Sequence, residues 1–263
     1  MKISVLMENT PFEDGFLFEH GLSFFIETER HRVLFDTGQS DGFIANALRL
    51  GIDLSAVDIA VLSHGHYDHG GGLQAFLALN SKAPVFVSQY AFDGFYAGEG
   101  RYIGLDPDLK GHPRLVPVGE SLMLDDELEL FACNARARPY VMDSYGLSIL
   151  RDNALLPDDF RHEQYLLIKE QGKRVLISGC SHKGILNIMS WLEPDILIGG
   201  FHFMKVDPEG PDRKVLDEAA QIMLLHDAAY HTCHCTGLPQ YEYLKQRMGD
   251  RLNYLAAGQQ ITV

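Results

Sequence analysis

The pattern that most constrains how this chain can fold is a strand–helix–strand unit that occurs twice. His31-Arg-Val-Leu-Phe-Asp-Thr-Gly38 has a counterpart in Lys173-Arg-Val-Leu-Ile-Ser-Gly179. Each is followed by a helix-like stretch, residues 42–50 and 184–192, and then by a second apolar run, Asp58-Ile-Ala-Val-Leu62 and Asp195-Ile-Leu-Ile198. Short uninterrupted apolar runs mark strands buried on both faces, because a strand with one wet face alternates apolar and polar residues. Two such units predict an α/β protein with two sheets packed between helix layers. A histidine follows the second strand of each unit, His64 and His202. An α/β protein places its site just past strand ends of this kind.

Around this frame, residues 2–7, 22–28 and 32–36 read as strands, the last two joined as a hairpin around Glu29–Arg30–His31. Residues 42–50 read as a helix with Asp41 as its N-cap, 59–62 as a buried strand, 72–80 as a helix and 84–88 as a strand. Residues 93–113 are rich in Gly, Pro and Asp and exceed an ordinary connection, which predicts a loop covering the site. No linker-like stretch interrupts the chain, so one domain over residues 1–263 is expected.

Composition narrows the partners. Thirty-six acidic against 22 basic residues leave a net charge of −14. Such a surface repels nucleic-acid phosphates and anionic lipid, and no basic patch offsets it. A small-molecule substrate is expected, with no nucleic acid and no membrane; an anionic substrate fits if a metal ion supplies local positive charge. No apolar run approaches the ~20 residues that span a bilayer, and Met1–Gly15 lacks the apolar stretch of a secretion signal. The four cysteines, Cys133, Cys180, Cys233 and Cys235, are too few and too unevenly spaced for a disulfide framework, so a cytoplasmic location is expected.

The chemistry is concentrated in Ser63-His-Gly-His-Tyr-Asp-His-Gly-Gly-Gly72. Three histidines and an aspartate follow a buried strand within six residues. In extended backbone His64 and His66 face the same side, whereas Asp68 and His69 face elsewhere as the chain turns into the glycines. One loop can thus offer two pairs of ligands to two ions. Neutral imidazole and carboxylate suit a divalent ion such as zinc, and two ions ~3.5–4 Å apart form a hydrolytic centre. Gly70, Gly71 and Gly72 permit the tight path that turns these side chains inward.

Ser63–Gly72 resembles the HxHxDH signature of the metallo-β-lactamase superfamily, and Phe35-Asp-Thr-Gly38 resembles that superfamily's upstream strand end. The resemblance implies an αββα sandwich of two mixed sheets with a mono- or binuclear metal site. Glu19-His-Gly-Leu-Ser23, Ser178-Gly-Cys-Ser-His182, Gly199-Gly-Phe-His202 and His234-Cys-Thr-Gly237 are similar to one branch. Its members are described as 7,8-dihydropterin-6-yl-methyl-4-(β-D-ribofuranosyl)aminobenzene-5′-phosphate synthase or as class II metal-dependent hydrolases.

By that resemblance His64, His66, Asp68 and His69 are metal ligands, and Asp36 supports them from behind. His234 matches the superfamily's last ligand, with His231 and Cys233 as alternatives nearby. The superfamily's middle histidine has no counterpart in Cys133-Asn-Ala-Arg-Ala-Arg-Pro139. Either the site has one ligand fewer or His182 fills the gap. Cys180 stands where a metal-bridging aspartate is usual, as a thiolate ligand of a softer ion or as a small packed residue. His202 is a candidate for substrate contact or proton transfer, and His20 for overhanging the site. Lys183, Arg136 and Arg138 are candidates to pair with a substrate phosphate or carboxylate. His31, His112, His162 and His226 read as surface or structural.

The function expected is a metal-dependent hydrolase that turns a metal-activated water on a small phosphorylated, ester or lactone substrate, with Asp68 as base. The cofactor is one or two divalent ions, zinc first, with Mn, Fe or Mg also compatible. The alternatives are a dihydropterin-linked transferase releasing diphosphate, and a non-catalytic metal-binding sensor, against which the intact signature speaks.

Overall fold

The computed structural model describes residues 1–263. The two repeated units each become the parallel heart of a seven-stranded mixed sheet. In the first sheet the order is Gln260–Thr262, Lys2–Met7, Ser23–Glu27, Arg32–Phe35, Ile59–Val61, Val85–Ser88 and Leu115–Val118. Pairing is antiparallel up to Arg32–Phe35 and parallel beyond it. The second sheet runs Leu252–Tyr254, Ala229–Thr232, Ile196–Gly199, Lys173–Ile177, Tyr165–Glu170, Leu128–Phe131 and Ser121–Met123. Its first four strands are parallel and the rest antiparallel.

The uninterrupted apolar runs are explained by what lies on each face. Val33 and Phe35 point between the sheets, where they meet Leu130, Ile168, Val175 and Ile198. Leu34, Ala60 and Leu62 point outward onto Gly42–Arg49 and Leu73–Leu79 through Phe43, Ala47 and Phe76. Leu176 and Leu197 likewise point outward onto Ile185–Leu192 and Lys214–Leu225. Both faces are dry, so neither strand can afford alternation, and the layers are helix, sheet, sheet, helix. No helix is long and apolar enough to cross a membrane.

Two expectations need correction. Asp41 does stand at the N-terminal boundary of Gly42–Arg49, but its side chain caps nothing. The Gly42 N–H donates to Ser40 Oγ at 3.1 Å, and the N–H groups of Gln39 and Ser40 donate to Glu19 Oε1, each at 3.0 Å. Nor is the 93–113 segment irregular. Phe95–Ala97 and Arg101–Tyr102 are strands, and Phe95–Ala97 pairs with Leu147–Arg151 from the second half. With Ala154–Pro157 they make a four-stranded sheet, anchored by Phe95, Ile103 and Ile149. Pairing with a partner fifty residues away supplied the order that local composition could not show.

Candidate metal centre

Strand Ile59–Val61 delivers its chain into extended backbone at His66 and then into a single helical turn, Tyr67–Gly70, that rolls Asp68 and His69 inward. The glycines that follow are required for space rather than for unusual backbone angles. Gly71 and Gly72 have ordinary φ values of −64° and −80°. A Cβ on Gly71 would run into the carbonyls of Gln39 and Tyr67, and one on Gly72 into those of Thr37 and Ser40.

Three buried imidazoles converge first. His64 Nε2 and His182 Nε2 are 3.2 Å apart, and the His64 and His66 rings lie 4.6 Å centroid to centroid. Burial, reinforced by the neighbouring rings, holds His64 and His182 well below the ordinary histidine value and His66 down at about 3. All three are neutral near neutral pH, the form that binds metal. Hydrogen bonding sets the His64 tautomer. Ser63 Oγ has one proton, which it donates to Asp36 Oδ2 at 2.7 Å, so it accepts from His64 Nδ1–H at 2.8 Å. The Nε2 lone pair of His64 is left facing inward.

A second set surrounds Asp68. Its Oδ2 lies 3.3 Å from His20 Nε2, 3.3 Å from His234 Nε2 and 3.7 Å from His69 Nε2. Burial opposes ionisation, but His69 and His20 outweigh it and hold the Asp68 carboxyl well below the ordinary range. His69 Nδ1–H donates to Asp36 Oδ2 at 2.7 Å, which leaves its Nε2 facing Cys180 Sγ at 3.1 Å. Burial alone would lower His69, yet the Asp68 and Asp36 carboxylates push it up to about 9. That corner of the site therefore draws in positive charge.

Whether these residues suit a metal ion can be tested on their hydrogen bonds. His66 Nε2, His202 Nε2 and His234 Nε2 are buried and have no hydrogen-bond partner, and the facing Nε2 atoms of His64 and His182 have only one another. Buried polar atoms are nearly always partnered. His234 is the sharpest case: its Nδ1–H donates to Asn9 Oδ1 at 2.8 Å, so Nε2 turns a lone pair toward the Asp68 carboxylate. Two acceptors facing each other repel unless a cation lies within reach of both. The donors fit a divalent ion.

Two buried glutamates that the sequence reading missed brace the histidine loops of the second half. Glu8 Oε1 accepts the His234 N–H at 2.6 Å and the Tyr254 hydroxyl at 2.7 Å. Glu163 Oε1 accepts the His182 N–H at 2.6 Å, and its Oε2 accepts the Lys183 N–H at 3.0 Å and the Tyr165 hydroxyl at 2.6 Å. The backbone these loops adopt is strained: Asp36, Ser181, His202 and His234 have φ of 59°, 58°, 58° and 50°. Left-handed backbone at non-glycine residues costs ~1–3 kcal/mol each and gathers at functional sites.

The remaining candidates separate cleanly. His20, His202 and Cys180 line one cavity of about 390 Å³ with Asp68, His66, His182 and His234. Cys235, which the sequence reading passed over, lines it too. Burial raises the Cys180 thiol, and Cys235 beside it, whose Sγ donates to the Cys180 carbonyl at 3.3 Å, carries the lower value of the pair. His182 lines the cavity beside His64, whereas the 133–139 segment contributes nothing to its lining.

Lys183 and Arg138 do not reach this cavity and are corrected here. The Lys183 ammonium is buried and donates to the carbonyls of Ala132 and Glu163, tying three segments together. Arg138 donates to the Asp159 carbonyl at 2.8 Å. Arg136 is exposed and outside the cavity as well. His162 is structural, as expected, but at the heart of the site: its Nδ1 accepts the Gly65 N–H at 2.9 Å and its Nε2–H donates to Asp158 at 3.1 Å. No local pattern in the sequence marks that role.

Comparison with known proteins gives four likenesses. The sequence profile of the metallo-β-lactamase superfamily matches residues 17–140. An uncharacterized Methanocaldococcus jannaschii protein is 31% identical over 255 residues, covering 93% of this chain and 94% of its own. From the same organism, 7,8-dihydropterin-6-methyl-4-(β-D-ribofuranosyl)-aminobenzene-5′-phosphate synthase is 26% identical over 293 aligned positions, covering 98% of this chain and 95% of that one. The crystal structure of Tm1679, a metal-dependent hydrolase of the β-lactamase superfamily, superposes with a TM-score of 0.86 at 30% identity, covering 100% of this chain and 99% of that one.

Proposed function

This chain belongs to the metallo-β-lactamase superfamily, and from that premise we propose that it is a metal-dependent hydrolase of a small anionic substrate. The observation that carries the reading is the set of buried, unpartnered imidazole nitrogens at the floor of the cavity. His64, His66 and His182 would hold one divalent ion, and Asp68, His69 and His234 would surround a second. Zinc suits these donors best, because they are mainly nitrogen. When bound, such ions acidify a water and polarise the carbonyl or phosphoryl oxygen under attack.

The protein's own groups do the rest. Asp68, ionised and held by His20, accepts the proton of the attacking water. His202, whose Nε2 has no protein partner, faces the same cavity and can donate to the leaving oxygen. Asp36 orients His69 directly and His64 through Ser63. The anionic character of the substrate is read from the walls. Arg101 and Lys205 are the two full cations lining the cavity, and neither forms an ion pair, in a chain of net charge −14. The Arg101 guanidinium is steadied over the Tyr67 ring, 5.7 Å from its centroid. Ile103, Leu147 and Tyr145 supply apolar wall to the same cavity. Nucleic acid and membrane are not partners in this reading.

The second reading is a transferase that releases diphosphate from a pterin-methyl diphosphate, favoured by the named synthase among the relatives. Metal analysis followed by turnover of phosphoester and lactone panels tests the proposal. Metal-dependent hydrolysis is the expected result. Diphosphate release without hydrolysis selects the transferase, and a protein that retains no divalent metal overturns both.

A further inference from the structure

Four cysteines occupy very different surroundings. Cys133 sits in the apolar cluster outside the second sheet, and Cys233 lies in the core between the sheets. Cys180 and Cys235 instead sit just past the ends of Lys173–Ile177 and Ala229–Thr232, strands that flank Ile196–Gly199 on either side. Both therefore arrive at the same sheet edge and line the cavity. Their sulfurs and a ring nitrogen of His234 all lie within 4.8 Å of one another. Cys180 Sγ is also 3.1 Å from His69 Nε2.

Two further observations point to a ligand here. His234 Nε2 is buried and without a hydrogen-bond partner. Gly200 makes room for the second sulfur, since a Cβ there would run into Cys235 Sγ. We propose that Cys180 and Cys235 act together as a thiolate pair that, with His234, ligates the second cation position of the centre. The proposal rests on the metal-centre reading above and adds two sulfurs to it. Each thiol loses its proton to solvent as the ion binds, forming one sulfur–metal bond with no change of oxidation state. Sulfur donors favour zinc, cobalt or iron and disfavour magnesium and manganese. The pair thus sets which metals the second position accepts.

The test is loading of the metal-free full chain with cobalt(II) alone, followed by near-ultraviolet absorption and metal content. Sulfur-to-cobalt charge-transfer absorption is expected in the wild type, halved in Cys180→Ser and in Cys235→Ser, and absent from the double variant. The double variant is expected to lose one of two cobalt equivalents, while Cys133→Ala matches the wild type. A Cys235→Ser spectrum and stoichiometry equal to wild type overturn the pairing. A second measurement needs no variant: alkylation of the wild type, mapped by peptide mass, should show Cys180 and Cys235 protected by zinc. Equal labelling with and without zinc overturns the proposal. Cobalt bound without any sulfur absorption defeats this inference alone, whereas a chain that binds no cobalt defeats the metal-centre reading with it.

Discussion

Asp36→Asn isolates the hydrogen bonding that aims the histidines. The backbone tolerates the change, because Asp36 has φ of 59° and asparagine is at home in the left-handed region. The carboxylate accepts three bonds: from the Ser63 N–H at 2.6 Å, from Ser63 Oγ at 2.7 Å and from His69 Nδ1 at 2.7 Å. An amide has one acceptor oxygen. Placed toward Ser63 Oγ and His69, it leaves the NH2 group facing the Ser63 N–H; placed the other way, it sets NH2 against His69 Nδ1–H and drives that ring toward the wrong tautomer. Either orientation leaves a buried donor facing a donor, at about 1–3 kcal/mol of stability. Loss of such an orienting partner lowers metal affinity by ~10–100-fold, which is about 1.4–2.8 kcal/mol. The assay is chelator competition for zinc alongside thermal unfolding of the metal-free protein. Zinc affinity within twofold of wild type would refute the claim that Asp36 aims the ligands. Ser63→Ala should show the smaller loss, since it disconnects His64 alone.

His66→Ala is expected to lower bound metal per chain and abolish turnover while far-ultraviolet circular dichroism stays unchanged; equal metal content in variant and wild type contradicts the assignment. Lys183→Met should destabilise the fold by about 1–3 kcal/mol through the carbonyls it strands, with KM unchanged. A KM rise without loss of thermal stability would return Lys183 to the substrate. Arg101→Ala and Lys205→Ala should each raise KM for an anionic substrate several-fold with little change in kcat, and added salt should weaken wild-type binding in the same sense. If KM for anionic and neutral substrates moves equally, the cations do not read charge.

What the sequence determined was everything that local spacing controls. The apolar runs from Val33 to Phe35 and from Val175 to Ile177 announce strands dry on both faces, and the sheets are built on them. Ser63–Gly72 carries four site residues on one short loop, whose geometry follows from its own backbone and its glycines. What only the tertiary structure decided depends on partners far apart in the chain. His182 becomes an inward donor because the ends of two strands from different halves bring it within 3.2 Å of His64. Lys183, next to it, turns from a candidate substrate contact into a buried tie because Ala132, 51 residues earlier, offers a carbonyl. Glu8 braces a histidine 226 residues away, and Cys180 meets Cys235 only across the sheet edge. A charge or a thiol has no intrinsic role that its neighbours in sequence reveal: its free energy is set by the dielectric and the donors around it, and those arrive only when the chain has closed on itself.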